Sequence, residues 1–389
     1  MTLELTRAMS RLGTESAFDV LAKAKALEAT GRKIIHLEIG EPDFDTPPHV
    51  VEAAVEALRA GQTHYVPAPG ILPLRESVVA FLERTGRLHT SPDRVVITPG
   101  AKPVMFYVLL ALCAEGDEVI YPNPAFPMYE SIAAFTGAVP VPLPLREEND
   151  FRIDPAELER LITPRTKLLI LNSPHNPCGS ALTKADCEAI AEIAIRHDLT
   201  VLTDEVYWAI RYDGRHASVL DMDGMADRTI LLDGWSKTFA MTGWRLGFGV
   251  LPQVLVEPVT RLIINSVSCT SAFSQHAAKA ALEGPWDPVE RMVAEFHARR
   301  DLIVDGLNKI SGISCRTPRG AFYVFPRITD LGLPASELQE RLMHEAGVAV
   351  LPGTAFGSYG EGYLRLSYAN SADNLRAAVA AIDALVAAL

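Results

Sequence analysis

Cysteine is scarce in this chain. Five occur in 389 residues, at positions 113, 178, 187, 269 and 315, with no pair at Cys-x-x-Cys spacing. An odd, irregular set excludes a disulfide framework and a zinc-ribbon pattern, and predicts reduced thiols in a cytoplasmic protein. Basic charge is also short: 36 Lys and Arg stand against 48 Asp and Glu, a net charge of −12. That balance argues against nucleic acid as a partner, which calls for a basic face. The longest apolar run, Val104 to Ala114, falls short of the ~20 residues a membrane helix needs, so no membrane span is expected. The first twenty residues carry Glu4, Glu15 and Asp19 and no long apolar block, which is unlike a secretory leader. No Gly-x-Gly-x-x-Gly follows the first core strand, and this excludes a nicotinamide dehydrogenase of the dinucleotide-binding kind.

What is present is a 48% hydrophobic, 22% charged composition, ordinary for a large globular protein. At roughly 150 residues per domain, its length predicts two or three structural units. Aliphatic runs at 95–98, 118–121, 138–143, 167–171, 200–203, 229–233 and 246–251 predict strands, and helix-length segments such as 102–114, 154–161 and 184–197 lie between most of them. Such alternation predicts α/β architecture: a mostly parallel seven-stranded sheet between helices. The segment 234–245 is too short for a full crossover helix, so the strand at 246–251 is expected to run antiparallel. The flanks read as a smaller α+β domain from both chain ends, with a long helix at 287–310, strands at 321–325, 348–351 and 363–368, and a last helix capped by Ser371. The expected boundaries are 46–285 for the large cofactor-binding domain, with 1–45 and 286–389 forming the small one. Asp221 to Asp227 has the look of a calcium loop, but the closing Glu is absent and turn residues account for it. No metal site is expected.

Ligands of an open α/β sheet gather at the carboxyl ends of its strands. There the sequence places Pro99-Gly-Ala-Lys102, Asn172 to Gly179, Asp204-Glu-Val-Tyr207, and Gly234 to Arg245. A carboxylate, a phenol, an amide, an amine and a guanidinium are thereby aimed at one crevice, beside a helix start with unsatisfied amides.

In this order the motifs resemble the class I/II aminotransferases, the fold-type-I enzymes that use pyridoxal 5′-phosphate, in the aspartate-aminotransferase-like branch. The likeness covers nearly the whole chain. It is carried by Ile39 to Pro47, His64 to Gly70, Asn176-Pro-Cys-Gly179, Asp204 to Tyr207, Ser236 to Arg245, Gly320 to Tyr323, Pro352 to Gly357 and Tyr363 to Tyr368.

The resemblance implies Lys237 as the Schiff-base lysine, with Ser236 beside it in the cofactor site. It implies Asp204 as partner of the cofactor's ring nitrogen, with Tyr207 and Asn176 at its phenolic oxygen. The phosphate would meet the amides of Ala101 and Lys102 together with Arg245, and Phe126 would stack on the ring. The substrate α-carboxylate would meet Arg365 and the backbone at Gly40, with Asn176 also at the substrate. Tyr65 would reach the neighbouring subunit's phosphate, which implies a homodimer with shared sites. Some members of the branch turn a lysine at the position of Lys102 toward a substrate side-chain carboxylate.

The sequence departs from the family in three places: Phe126 stands where Tyr or Trp is usual, Cys178 where Thr is common, and Pro103 follows the phosphate-binding amides. The activity implied is ping-pong transfer of an amino group between an amino acid and a 2-oxo acid. Carbon–sulfur β-elimination or another elimination with the same cofactor is the alternative. Aspartate, alanine and aromatic donors all remain open.

Overall fold

Residues 3–389 are described in the structure, a computed structural model. Strand β1 (Ile35–His36) is followed by seven strands that condense into one sheet: β2 (Val95–Thr98), β3 (Glu118–Asn123), β4 (Val139–Pro144), β5 (Thr166–Asn172), β6 (Thr200–Asp204), β7 (Thr229–Gly234) and β8 (Gly247–Val250). Their order is β2-β8-β7-β6-β5-β3-β4. All residues of β2, β3, β7 and β8 are buried, as expected for strands covered by helices on both faces. β4 alternates Val139, Pro140, Val141, Pro142, Leu143 and Pro144. Proline cannot donate to a ladder, so such a strand is confined to an edge, and β4 pairs only with β3.

β8 runs antiparallel to both β7 and β2, as the short 234–245 connection predicts. The consequence is positional. The end of β7, the start of β8 and the end of β2 meet at one rim, where Gly247 is paired with both Gly234 and Thr98.

The remaining strands belong to smaller sheets. β9 (Tyr323–Val324), β11 (Leu351–Pro352) and β12 (Leu364–Ser367) form an antiparallel trio, while β10 (Val348–Ala349) lies parallel to β1. The single strand expected over 348–351 is thus two, parted at Val350, because the chain leaves one sheet there and joins another. The strands expected at 321–325 and 363–368 are likewise shorter than the aliphatic runs that suggested them. The helix from Lys102 ends at Leu112, where Cys113 turns extended, and the helix from Asp287 ends at Leu307. At the N-terminal end, a 3₁₀ turn (Arg7–Arg11) precedes a helix over Ser16–Glu28.

The last helix, Ala372–Val386, starts as anticipated: Ser371 Oγ accepts from the Asn374 amide at 3.2 Å, a cap of about 1 kcal/mol. Its buried face (Leu375, Ala378, Ile382, Leu385) shares a core with Phe296, Ile303 and Leu307 of the long helix. Asp221 closes a capping box with Ser218, the turn role expected of it. Cys113, Cys178, Cys187 and Cys315 are buried free thiols. No helix among the described residues is long and apolar enough to cross a membrane.

Candidate active site

The carboxyl ends of β2, β5, β6 and β7 open onto a cavity of about 560 Å³. Eleven of the twelve residues singled out above border it: Gly40, Ala101, Lys102, Phe126, Asn176, Asp204, Tyr207, Ser236, Lys237, Arg245 and Arg365. The twelfth, Tyr65, is 88% exposed and not on its wall.

Lys237 sits on one helical turn, Trp235–Thr238, directly after β7. Its Nζ donates to the Gly40 carbonyl at 2.5 Å. Burial is the main force on this amine, pushing it down to about 8; Glu41 opposes, and Arg365, Arg245 and Lys102 act in the same direction as burial. A lysine so placed exposes a neutral nitrogen near neutral pH far more often than a solvated one. Gly40 has no room for a side chain, because a Cβ there would collide with the Tyr323 hydroxyl.

Asp204 closes β6 and is buried. Tyr129 Oη donates to its Oδ2 at 2.7 Å, and the Val206 amide lies 3.3 Å from Oδ1. Burial lifts the carboxyl to about 7; the two hydrogen bonds pull it down, and the charges of Asp233 and Glu205 push it further up. Among the described residues, no cation is a hydrogen-bond partner of this carboxyl. Tyr207 is buried with its hydroxyl 2.8 Å from that of Tyr323, and burial, then Tyr323, holds its phenol well above the usual range.

Arg365, on β12, is buried between the rings of Tyr323 and Phe356, whose centroids lie 4.6 Å and 5.1 Å from Cζ. One guanidinium nitrogen donates to the Glu38 carbonyl, while Nε is buried without a partner among the described residues. Asn176 Oδ1 is buried and unpartnered as well, and its backbone amide donates to Asn172 Oδ1 at 2.9 Å.

Across the cavity, Ala101 precedes the helix Lys102–Leu112, and the amides of Ala101 and Lys102 have no backbone partner among the described residues; Pro103 carries no N–H, and the Val104 amide donates to the Ala101 carbonyl at 3.1 Å. Gly100 takes φ +94°, and a Cβ on it would meet the Arg245 guanidinium. Arg245 itself is held left-handed at φ 54°, its Nη1 donating to the Thr242 carbonyl at 2.7 Å. Lys102 lies 5.2 Å from the Phe126 ring centroid and forms an ion pair with Glu15.

Sequence reasoning missed several groups here. Tyr129 and Glu15 carried no signal that marked them for this cavity. Asn172, Tyr323 and Phe356 stood inside segments marked above, but without a role. Glu205, adjacent to Asp204, turns to the other side of the sheet end and forms a closed network: Arg87 donates to Glu205 at 2.8 Å and to Asp233 at 2.6 Å, with His216 at 2.9 Å. Burial works to raise Glu205, but His216 and Arg87 outweigh it and hold the carboxyl near 2.

Comparison with known proteins bears on this geometry. The family profile described as aminotransferase class I and II matches residues 32–382. The chain is 45% identical to aromatic-amino-acid aminotransferase 2 of Thermococcus litoralis, over 89% of this chain and 90% of that one. It is also 45% identical to an aspartate aminotransferase of Pyrococcus abyssi, over 90% and 91%. Among solved structures, the aspartate aminotransferase from Thermus thermophilus with maleate superposes with a TM-score of 0.94 at 36% identity, covering 99% of this chain and 100% of that one.

Proposed function

Because the chain belongs to the class I and II aminotransferases and is a transaminase, we propose that the cavity described above holds pyridoxal 5′-phosphate and exchanges an amino group between an amino acid and a 2-oxo acid in two half-reactions. One observation carries this reading: an amine pushed down to about 8 and a carboxyl pushed up to about 7, without a cationic partner, border the same cavity. A protonated pyridine nitrogen is the partner Asp204 lacks. The amides of Ala101 and Lys102, with Arg245 and Ser236 nearby, suit a phosphate.

Pyridoxal phosphate, when bound, supplies an aldehyde that condenses with amines and a protonated ring that accepts electron density. The chain's own residues do the rest. Lys237 Nζ removes the proton at the substrate Cα and delivers it, acting as base and then acid. Asp204 would keep a proton on the ring nitrogen. Tyr207 and Asn176 would hold the ring's phenolic oxygen, and Phe126 would pack against the ring. Arg365 grips the α-carboxylate with its guanidinium, with the backbone at Gly40 and the amide of Asn176 alongside. Tyr65, exposed on its own subunit, reaches the phosphate site of a second copy, which makes the working unit a homodimer. Residues 46–285 form the large cofactor-binding domain, and 1–45 with 286–389 the small one. The buried free thiols suit a reducing, cytoplasmic setting.

The two relatives at equal identity bear aromatic and aspartate names, so kinship leaves the donor's side chain to the pocket. The direct experiment is a panel of amino acids, each mixed alone with the reconstituted enzyme while the cofactor's visible absorption is followed. Donors should convert the bound cofactor stoichiometrically, and a 2-oxo acid should restore it. Turnover that needs no 2-oxo acid would refute transamination.

A further inference from the structure

This inference rests on the transaminase reading of the same cavity and concerns which donors it admits. Four cationic side chains border the cavity: Lys237, Arg245, Arg365 and Lys102. In transamination the first three serve the reacting carbon, the phosphate and the α-carboxylate. Lys102 is the cation left for a substrate's distal end, and it is already engaged. Glu15, 87 residues away in the chain, forms an ion pair with it. Glu15 directly precedes the helix Ser16–Glu28, yet its carboxylate does not cap that helix. Its side chain is 18% exposed, tucked into the cavity wall. Beside the pair the wall includes the apolar Ala17, Phe18, Met105 and Phe126 as well as Ser16; the Lys102 ammonium lies 5.2 Å from the Phe126 centroid, and burial, then the charge of Arg245, push its pKa down.

We propose that Glu15 is a specificity-determining residue: by neutralising Lys102 it makes the distal end of the cavity electroneutral and apolar-walled, selecting amino acids with large uncharged side chains over dicarboxylic ones. The physics is like-charge repulsion. The Lys102 ammonium has donors to spare beyond Glu15, but a distal carboxylate that reaches them must sit beside the Glu15 carboxylate, and repulsion between the two like charges offsets much of what the contact gains. An aromatic or aliphatic side chain makes no such demand and buries apolar surface against Phe18, Met105 and Phe126. Lys102 is 48% exposed, so solvent screens the pair and tempers its strength.

The test compares holoenzymes of the wild type, Glu15→Gln and the double variant Glu15→Gln with Lys102→Gln. Two quantities are read: the ratio of kcat/KM for aspartate to that for phenylalanine, and calorimetric Kd values for the unreactive analogues succinate and 3-phenylpropionate. Glu15→Gln releases Lys102, so the ratio should rise ~10-fold or more, the scale of one hydrogen bond to a charged group, and succinate should tighten to match. The double variant should lose that gain, since no ammonium remains to receive the carboxylate.

Three results overturn the proposal. In one, Glu15→Gln leaves both ratio and succinate affinity within about twofold of wild type. In another, its gain survives in the double variant. In the third, all donors lose activity equally, which marks Glu15 as structural only. A failure of the underlying reading is distinct: then no amino acid converts the cofactor in the wild type itself.

Discussion

Replacing Asp204 by asparagine tests the electronic half of the proposed chemistry. The substitution preserves shape and leaves a carbonyl oxygen for the Tyr129 hydroxyl, 2.7 Å away in the native arrangement, but removes the negative charge. Burial lifts this carboxyl from an ordinary 3.8 to about 7. At 1.36 kcal/mol per tenfold change in the protonation equilibrium, that is about 4 kcal/mol of unfavourable burial, which a cation bonded to Asp204 can recover. If half is recovered only as negative charge reaches the ring in the transition state, kcat falls ~30-fold; if all of it is, ~10³-fold. Cofactor retention should suffer less, because the residues proposed for the phosphate lie across the cavity. The assay pairs steady-state kcat on the best donor with cofactor Kd from an absorbance titration. An Asp204→Asn enzyme within about threefold of wild-type kcat, with cofactor bound normally, would refute the electron-sink assignment.

Lys237→Ala should remove turnover while leaving the melting transition intact; a residual rate above a tenth of wild type would disqualify Lys237 as the proton carrier, since such groups contribute ~10²–10⁴-fold. Arg365→Lys keeps the charge but loses the planar fork, so KM for every amino acid should rise ~10- to 100-fold with kcat changed less; an unchanged KM would place the α-carboxylate elsewhere. Asp204 also predicts a pH-dependent stability in cofactor-free protein. Its folded value, about 7, lies above the unfolded one, so the folded state binds the extra proton. Stability from this group is full below about pH 4 and is lost as pH rises through about 7. Urea denaturation should find the advantage of Asp204→Asn over wild type greater at pH 8 than at pH 4 by a few kcal/mol; the same difference at both pH values would contradict the titration of Asp204.

Local chemistry was legible in the linear chain. A run such as Thr200–Asp204 announces a buried strand through its aliphatic content, and the short link to 247–250 dictated an antiparallel last strand by geometry alone. Because strand ends define the rim, the positions of Asp204, Lys237, Arg245 and Lys102 at one crevice followed from the strand pattern. Strand lengths in the C-terminal part were not legible. Whether Val348 to Leu351 forms one strand or two depends on which distant partners, His36 or Arg365, the backbone meets.

The tertiary structure alone decided what each of these groups touches. Tyr129 meets Asp204 across 75 residues, Lys237 meets the Gly40 carbonyl across 197, and Glu15 meets Lys102 across 87. None of these distances is a helical or strand period, so no pattern in the chain encodes them. The charge states follow the same rule. Asp204, at about 7, and Glu205, near 2, are neighbours in sequence. They differ because one is buried without a cation and the other faces Arg87 and His216. Burial and partner set those values, and both exist only once the chain has folded.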